Sequence, residues 1–254
     1  MSDGDIEDLV ESAVSAIEPL FERGELVSVA YSGGKDSTAT LICAMEALRR
    51  HVAAGGEPLP LVVRHNDTRI ENPTVRLHAR KQLRDLEEHA LDEGLPVWVR
   101  ISEPSLSDAF TVKVVGGLAL PNFADSKSRA CSHDWKVKPG TRMEKSLLPE
   151  IRERAKEALA EGGANEGDRA YAERMLALAE ARDVPVTLVG TRTGESAGRA
   201  RRMAERGERA TEVNEVRDEK DRIVAKNLSP IMAWEEEERS EERRVGKECT
   251  LRCR

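Results

Sequence analysis

The sequence predicts an α/β protein: a doubly wound, mostly parallel five-stranded sheet with a peripheral helical hairpin. Two observations carry that expectation. Short apolar runs that suit strands alternate with helical patterns along most of the 254 residues, and such alternation builds parallel sheets through crossover helices. The first run also leads into a small glycine-bearing loop and then a helix, the connection beyond which open parallel sheets bind ligands.

The elements follow in order. Ile6, Leu9, Val10, Val14, Ile17 and Leu20 recur at helical spacing and predict an amphipathic helix over 5–22. The apolar run 26–31 is the first strand. Leu41, Ile42, Met45 and Leu48 mark one face of a helix over 37–50, which Gly55 and Gly56 end. "LVVRH" (61–65) is the second strand. Asn72-Pro73 then opens a helix, Asn as cap and Pro in the first turn, that runs to a stop at Gly94. "LPVWVRI" (95–101) is the third strand. Residues 102–145 lack periodicity and carry Pro, Gly, Ser and basic residues, which predicts site loops rather than scaffold. Residues 146–182 predict two charged helices around "EGGANEGD". "VPVTLVG" (184–190) is the fourth strand, and "DRIVAKNLSPI" carries the fifth. One domain is expected over 1–234. The tail 235–254 is charged and nearly without apolar residues, so it is expected to be a solvated end or a segment foreign to the natural protein.

Composition narrows the class. The chain is 34% charged and 39% hydrophobic, which suits a globular protein with a core. No run of 18 apolar residues exists, and the acidic N-terminus lacks a signal pattern, so no membrane contact and a cytoplasmic location are expected. Four cysteines, at 43, 131, 249 and 253, are too scattered for a disulfide framework. A net charge of −7 argues against a generally basic coat but leaves room for a local basic groove.

The chemistry concentrates in Ser32-Gly33-Gly34-Lys35-Asp36-Ser37, between the first strand and its helix. The glycines let backbone N–H groups approach an anion, and the helix N-terminus adds positive potential. Ser32 and Ser37 offer hydroxyls, Lys35 a cation and Asp36 a magnesium contact. A Walker A loop is excluded: Val29 stands where its first glycine belongs, and Asp36 where Ser or Thr is required.

In this strand–loop–helix setting the hexapeptide resembles the SGGxDS signature of the PP-loop ATP pyrophosphatases, proteins with the adenine nucleotide alpha hydrolase-like fold. The resemblance implies ATP held by its β,γ-pyrophosphate with magnesium and cleaved between the α and β phosphates, leaving an adenylated substrate oxygen. Further stretches are similar to the branch that includes PAPS reductase: "NDTRIENP" (66–73), "CSHDWKVKP" (131–139), "GTRTGESAGRARRM" (190–203) and "NLSPIMAW" (227–234). These imply Asp67, Thr68 and Gly190 near the nucleotide and Arg192 at phosphate, with Glu195-Ser196 ordering the turn. Within the branch, "DAFTVKVVGGLALPNFADSKSRAC" (108–131) resembles the DNA phosphorothioation sulfurtransferases of the DndC/SspD type. That resemblance implies adenylation of a DNA backbone phosphate, then sulfur delivered by a cysteine desulfurase partner acting with other phosphorothioation proteins.

Charge supports a polyanionic substrate. Lys127, Arg129, Lys136, Lys138, Arg142 and Lys145 face only Asp134 and Glu144 in sequence, and Arg192, Arg199, Arg201 and Arg202 form a second cluster. Cys131, amid Lys127, Arg129 and Lys136, is placed to be a thiolate. It is the candidate to carry a persulfide or, as the resemblance implies, to ligate a 4Fe–4S cluster; Cys249 and Cys253 would leave a four-thiolate set one sulfur short. Cys43 reads as a packing thiol, and the five histidines as ordinary polar residues. Two other readings stay open: an adenylyl sulfate or PAPS reductase, for which "KECTLR" (247–252) is a faint match around Cys249, and a nucleotide-binding module without turnover.

Overall fold

A computed structural model describes residues 3–119, 133–160, 166–181, 184–195 and 197–234. Among the described residues six strands form one sheet: β1 (Val27–Tyr31), β2 (Leu61–Asn66), β3 (Val97–Ser102), β4 (Val186–Val189), β5 (Asn214–Arg217) and β6 (Ile223–Leu228), in the order β3-β2-β1-β4-β6-β5. The order runs outward from β1 through β2 to β3 on one side and through β4 on the other. Such a reversal is the mark of a doubly wound sheet. β1 pairs parallel with β4, and β4 parallel with β6.

The expected five-stranded sheet is thus corrected to six. β5 pairs antiparallel with β6 through a hairpin. "NEVR" shows no apolar alternation because it is an edge strand exposed along most of its length. The turn itself makes the strand: Asp218 Oδ1 accepts from the N–H groups of Lys220 and Arg222 at 2.9 and 3.0 Å, and Asp221 takes φ +57°.

The helices are α1 (Asp3–Glu22), α2 (Lys35–Ala53), α3 (Pro73–Asp92), α4 (Lys138–Ala160), α5 (Glu166–Ala181) and α6 (Ala197–Glu205). Asn72 caps α3 as expected, its Oδ1 accepting from Thr74 N–H at 2.9 Å. α4 and α5 supply the expected hairpin, each burying one stripe: Leu147, Ile151 and Ala155 on one, Ala172, Met175 and Ala179 on the other. The reading of 102–145 as loops is corrected at its end. α4 starts at Lys138, because Pro139 falls in the first turn, where its missing N–H is not needed. Short π-helical turns occupy Thr111–Val115 and His133–Val137.

The chain divides into two compact units. One comprises Met1–Arg64, His78–Val99 and Val184–Arg254, the other His65–Leu77 and Arg100–Asp183. The first contains the main core: Val14, Ile17 and Leu20 of α1, Cys43, Ala44 and Leu48 of α2, Leu83 and Leu86 of α3, and Val29, Leu61 and Leu188 of the sheet, all buried. Cys43 is the packing thiol its helical position predicts. Among the described residues no helix is long and apolar enough to cross a membrane.

Candidate functional site

In the first unit, β1 ends at Tyr31 and the chain turns through Ser32-Gly33-Gly34 into α2. Gly33 takes φ +78°, a conformation that costs an L-residue about 1–2 kcal/mol. Gly34 is the N-cap of α2 and no side-chain cap hydrogen bond forms there; a helix N-terminus of this kind favours an anion. The serines fix the loop instead. Ser37 Oγ accepts from Ser32 N–H at 3.1 Å, lies 3.0 Å from Ser32 Oγ and donates to Gly34 O at 3.1 Å. Thr38 Oγ1 donates to Gly34 O at 2.8 Å, and Thr40 Oγ1 to Asp36 O at 3.0 Å.

This loop and the end of β4 line one open cleft. Ser32, Gly34, Lys35, Asp36 and Ser37 form one wall; Val189, Gly190, Thr191 and Glu195 form the other. Its volume of about 280 Å³ lies at the small end of small-molecule pockets, about 300–1,000 Å³. It stands beyond the carboxyl ends of β1 and β4, the adjacent strands where the sheet order reverses. That is where doubly wound sheets place their ligands. Gly190 makes the close approach: a Cβ there would sit 2.7 Å from Asp36 C and 2.8 Å from Ser37 N.

Lys35 is exposed at the cleft, Asp36 is partly buried and Ser37 is buried. Arg192 is 8% exposed, with Nε 3.4 Å from Asp36 Oδ1. That contact is an ion pair and not a hydrogen bond, for Nε finds no acceptor among the described residues. The arginines that follow are engaged locally: Arg199 pairs with Glu195 and Arg201 with Glu205, while Arg202 is exposed. The cleft's acidic and hydroxyl oxygens, from Asp36, Glu195, Ser32 and Thr191, are the hard donor set that suits magnesium. Among the described residues no group of three or more His, Cys, Asp or Glu is gathered as a metal site.

The second unit contains Asp67, Thr68 and the first basic cluster. Asp67 is 1% exposed; its Oδ2 accepts from Arg76 Nε at 2.7 Å and its Oδ1 from Arg69 N–H at 2.9 Å. The carboxylate therefore shapes the turn after β2, where Arg69 has φ +61°. The Thr68 hydroxyl is buried without a hydrogen-bond partner among the described residues. Lys136 and Arg142 are exposed, and the Lys136 carbonyl accepts from Asn66 Nδ2 at 3.1 Å. Lys127, Arg129, Cys131, Ser196, Cys249 and Cys253 lie outside the described residues, as does the tail.

Lys138 belongs to a network that charge counting did not reveal. Its Nζ is 3.2 Å from Asp108 Oδ1 and 3.3 Å from Asp134 Oδ1, and Lys113 bridges the same two carboxylates. Trp135 Nε1 donates to Asp108 O at 2.8 Å. Charge counting did not single out Asp108 as a partner of these lysines, which lie 5 and 30 residues from it. The Ser105 hydroxyl, then Lys138 and Lys113, hold the Asp108 carboxyl below its ordinary range. Lys113, then Lys138, does the same for Asp134, and both lysines are raised. Depressed carboxyls stabilise above the unfolded carboxylate pKa of about 3.9, and that stabilisation is lost as pH falls through their folded values. Raised lysines stabilise below about 10.4 and lose this as pH rises through theirs. Hydrogen exchange at the Trp135 indole N–H should be flat from about pH 5 to 9, after correction for intrinsic rates, and accelerate below about 4. Unchanged protection at pH 3 would mean the network does not hold this indole.

No family model and no curated protein matches the chain. Among solved structures, the U34-tRNA thiolase NcsA from Methanococcus maripaludis, with its 4Fe–4S cluster, is similar at 12% identity and a TM-score of 0.46. The match covers 94% of this chain but 64% of that one, so this chain spans less than two thirds of the thiolase. So distant a likeness assigns neither substrate nor site.

Proposed function

We propose that this chain is an ATP pyrophosphatase that adenylates a DNA backbone phosphate for sulfur incorporation. The observation that carries the reading is the cradle at the sheet's reversal point, where the SGGKDS loop, a helix N-terminus capped only by glycine, and Gly190 enclose one cleft. Ser32, Gly33, Gly34, Lys35 and Ser37 would hold the β,γ-pyrophosphate, and Asp36 would hold magnesium, which when bound would supply charge neutralisation on the leaving group. A non-bridging oxygen of the DNA phosphate attacks the α-phosphorus of ATP, and the bond to the β-phosphate bridging oxygen breaks. The persulfide of a cysteine desulfurase then attacks the activated DNA phosphorus and AMP leaves. A thiol reductant cleaves the S–S bond to free the phosphorothioate. The exposed Lys136 and Arg142, with Lys127 and Arg129 of the same stretch, are the DNA contacts in this reading. The sulfur chemistry falls to Cys131 and the desulfurase partner, with any iron–sulfur cluster ligated through Cys131.

Pyrophosphate release from magnesium ATP, measured alone and with DNA, adenylyl sulfate or its 3′-phosphate, tests the assignment. DNA-stimulated release is expected. Thiol-dependent sulfite from either sulfate nucleotide would make the chain a reductase instead, and ATP binding without release in any arm would make it a binding module.

A further inference from the structure

The loop after β4 and the segment after β6 close on each other. Thr193 N–H donates to Met232 O at 3.1 Å and its hydroxyl to the same oxygen at 3.3 Å. The Thr191 and Ser229 hydroxyls lie 2.8 Å apart. Within 229–234 the chain turns tightly: Met232 N–H donates to Ser229 O at 3.0 Å and Trp234 N–H to Ile231 O at 3.1 Å. Ile231 and Trp234 are buried in the core.

Arg192 spans from Asp36, which lines the cleft, to this segment. On one side its Nε lies 3.4 Å from Asp36 Oδ1 without a hydrogen bond. On the other its Nη1 donates to Trp234 O at 3.3 Å. A buried N–H of a cation with no acceptor is costly, and an arriving phosphate oxygen is the acceptor a guanidinium bonds best.

We infer that Arg192 is a positioning residue that transmits occupancy of the cleft to the 229–234 segment. A polyphosphate entering beside Asp36 supplies the acceptor that Nε lacks. As the guanidinium turns toward it, the hold on the Trp234 carbonyl changes, and the packing of that indole with it. The inference rests on the cleft being a phosphate site. Such coupling is reciprocal: whatever disturbs 229–234 alters phosphate affinity by the same factor.

The test uses the full chain with ATP and, separately, inorganic pyrophosphate. Calorimetry reads binding, and hydrogen exchange reads the Met232 and Trp234 amides. Indole emission is followed in the double variant W98F/W135F, which leaves Trp234 as the sole tryptophan of the three. Binding should change exchange at both amides by about fivefold or more and shift the emission. Arg192→Gln at saturating ATP should lose both responses, and Arg192→Lys should restore part of them. If ATP binds to the unmodified chain and both amides stay unchanged, the coupling is refuted whether or not the variants fold. If neither probe binds, the phosphate-site reading fails and this inference falls with it.

Discussion

Gly190→Ala is expected to reduce pyrophosphate release by on the order of 10²-fold while the protein still folds. The new methyl would lie 2.7 Å from Asp36 C and 2.8 Å from both Asp36 O and Ser37 N, all backbone atoms that cannot rotate away. Neither side yields easily. β4 is registered on β1 through Val189 opposite Ala30, and the first turn of α2 is pinned by the Thr38 and Thr40 hydroxyls. Relief therefore comes from moving the loop and the strand end apart. An overpacked contact of this kind costs about 1–3 kcal/mol of stability. A shift near 1 Å in a group that positions a reacting phosphate costs about 10²-fold in rate. Chemical denaturation and pyrophosphate release on the same preparation separate the two effects. Full turnover in a folded Gly190→Ala would mean that the close approach of β4 to α2 does not shape the cradle.

The parts of this site that are contiguous in sequence were legible there. SGGKDS stands between a β-branched run and an apolar-periodic helix, and the structure places it between β1 and α2 as that pattern requires. Gly190 and Arg192 were visible only by resemblance to a motif. What each does depends on partners more than 150 residues away, Asp36 in both cases, and no local pattern encodes such a distance. The same limit explains Lys138. Sequence counts it as one more cation in a basic stretch, whereas Asp108 and Asp134 engage it in space. Asp67, expected near the nucleotide, accepts from Arg76 Nε and Arg69 N–H, local partners that the sequence did not single out. β5 was missed because a charged edge strand has no apolar face to reveal its period.

Lys35→Ala should lower kcat for pyrophosphate release by on the order of 10²–10³-fold, the loss expected when one positioned charge is removed from a developing anion. Lys35 is the first residue of α2 and the lysine that lines the cleft. In the proposed reaction its charge would add to the positive end of the helix where the leaving pyrophosphate gathers negative charge. Because that charge grows as the α–β bond breaks, the loss should fall on kcat more than on KM. Lys35 is exposed, so the substitution should leave stability within about 0.5 kcal/mol of the parent, and a matching thermal midpoint would rule out misfolding. Lys35→Arg keeps the charge but not the reach or the compact ammonium, and should recover only part of the rate. Turnover equal to the parent in folded Lys35→Ala would remove this side chain from the chemistry and leave the backbone of the SGGKDS loop as the sole holder of the leaving group.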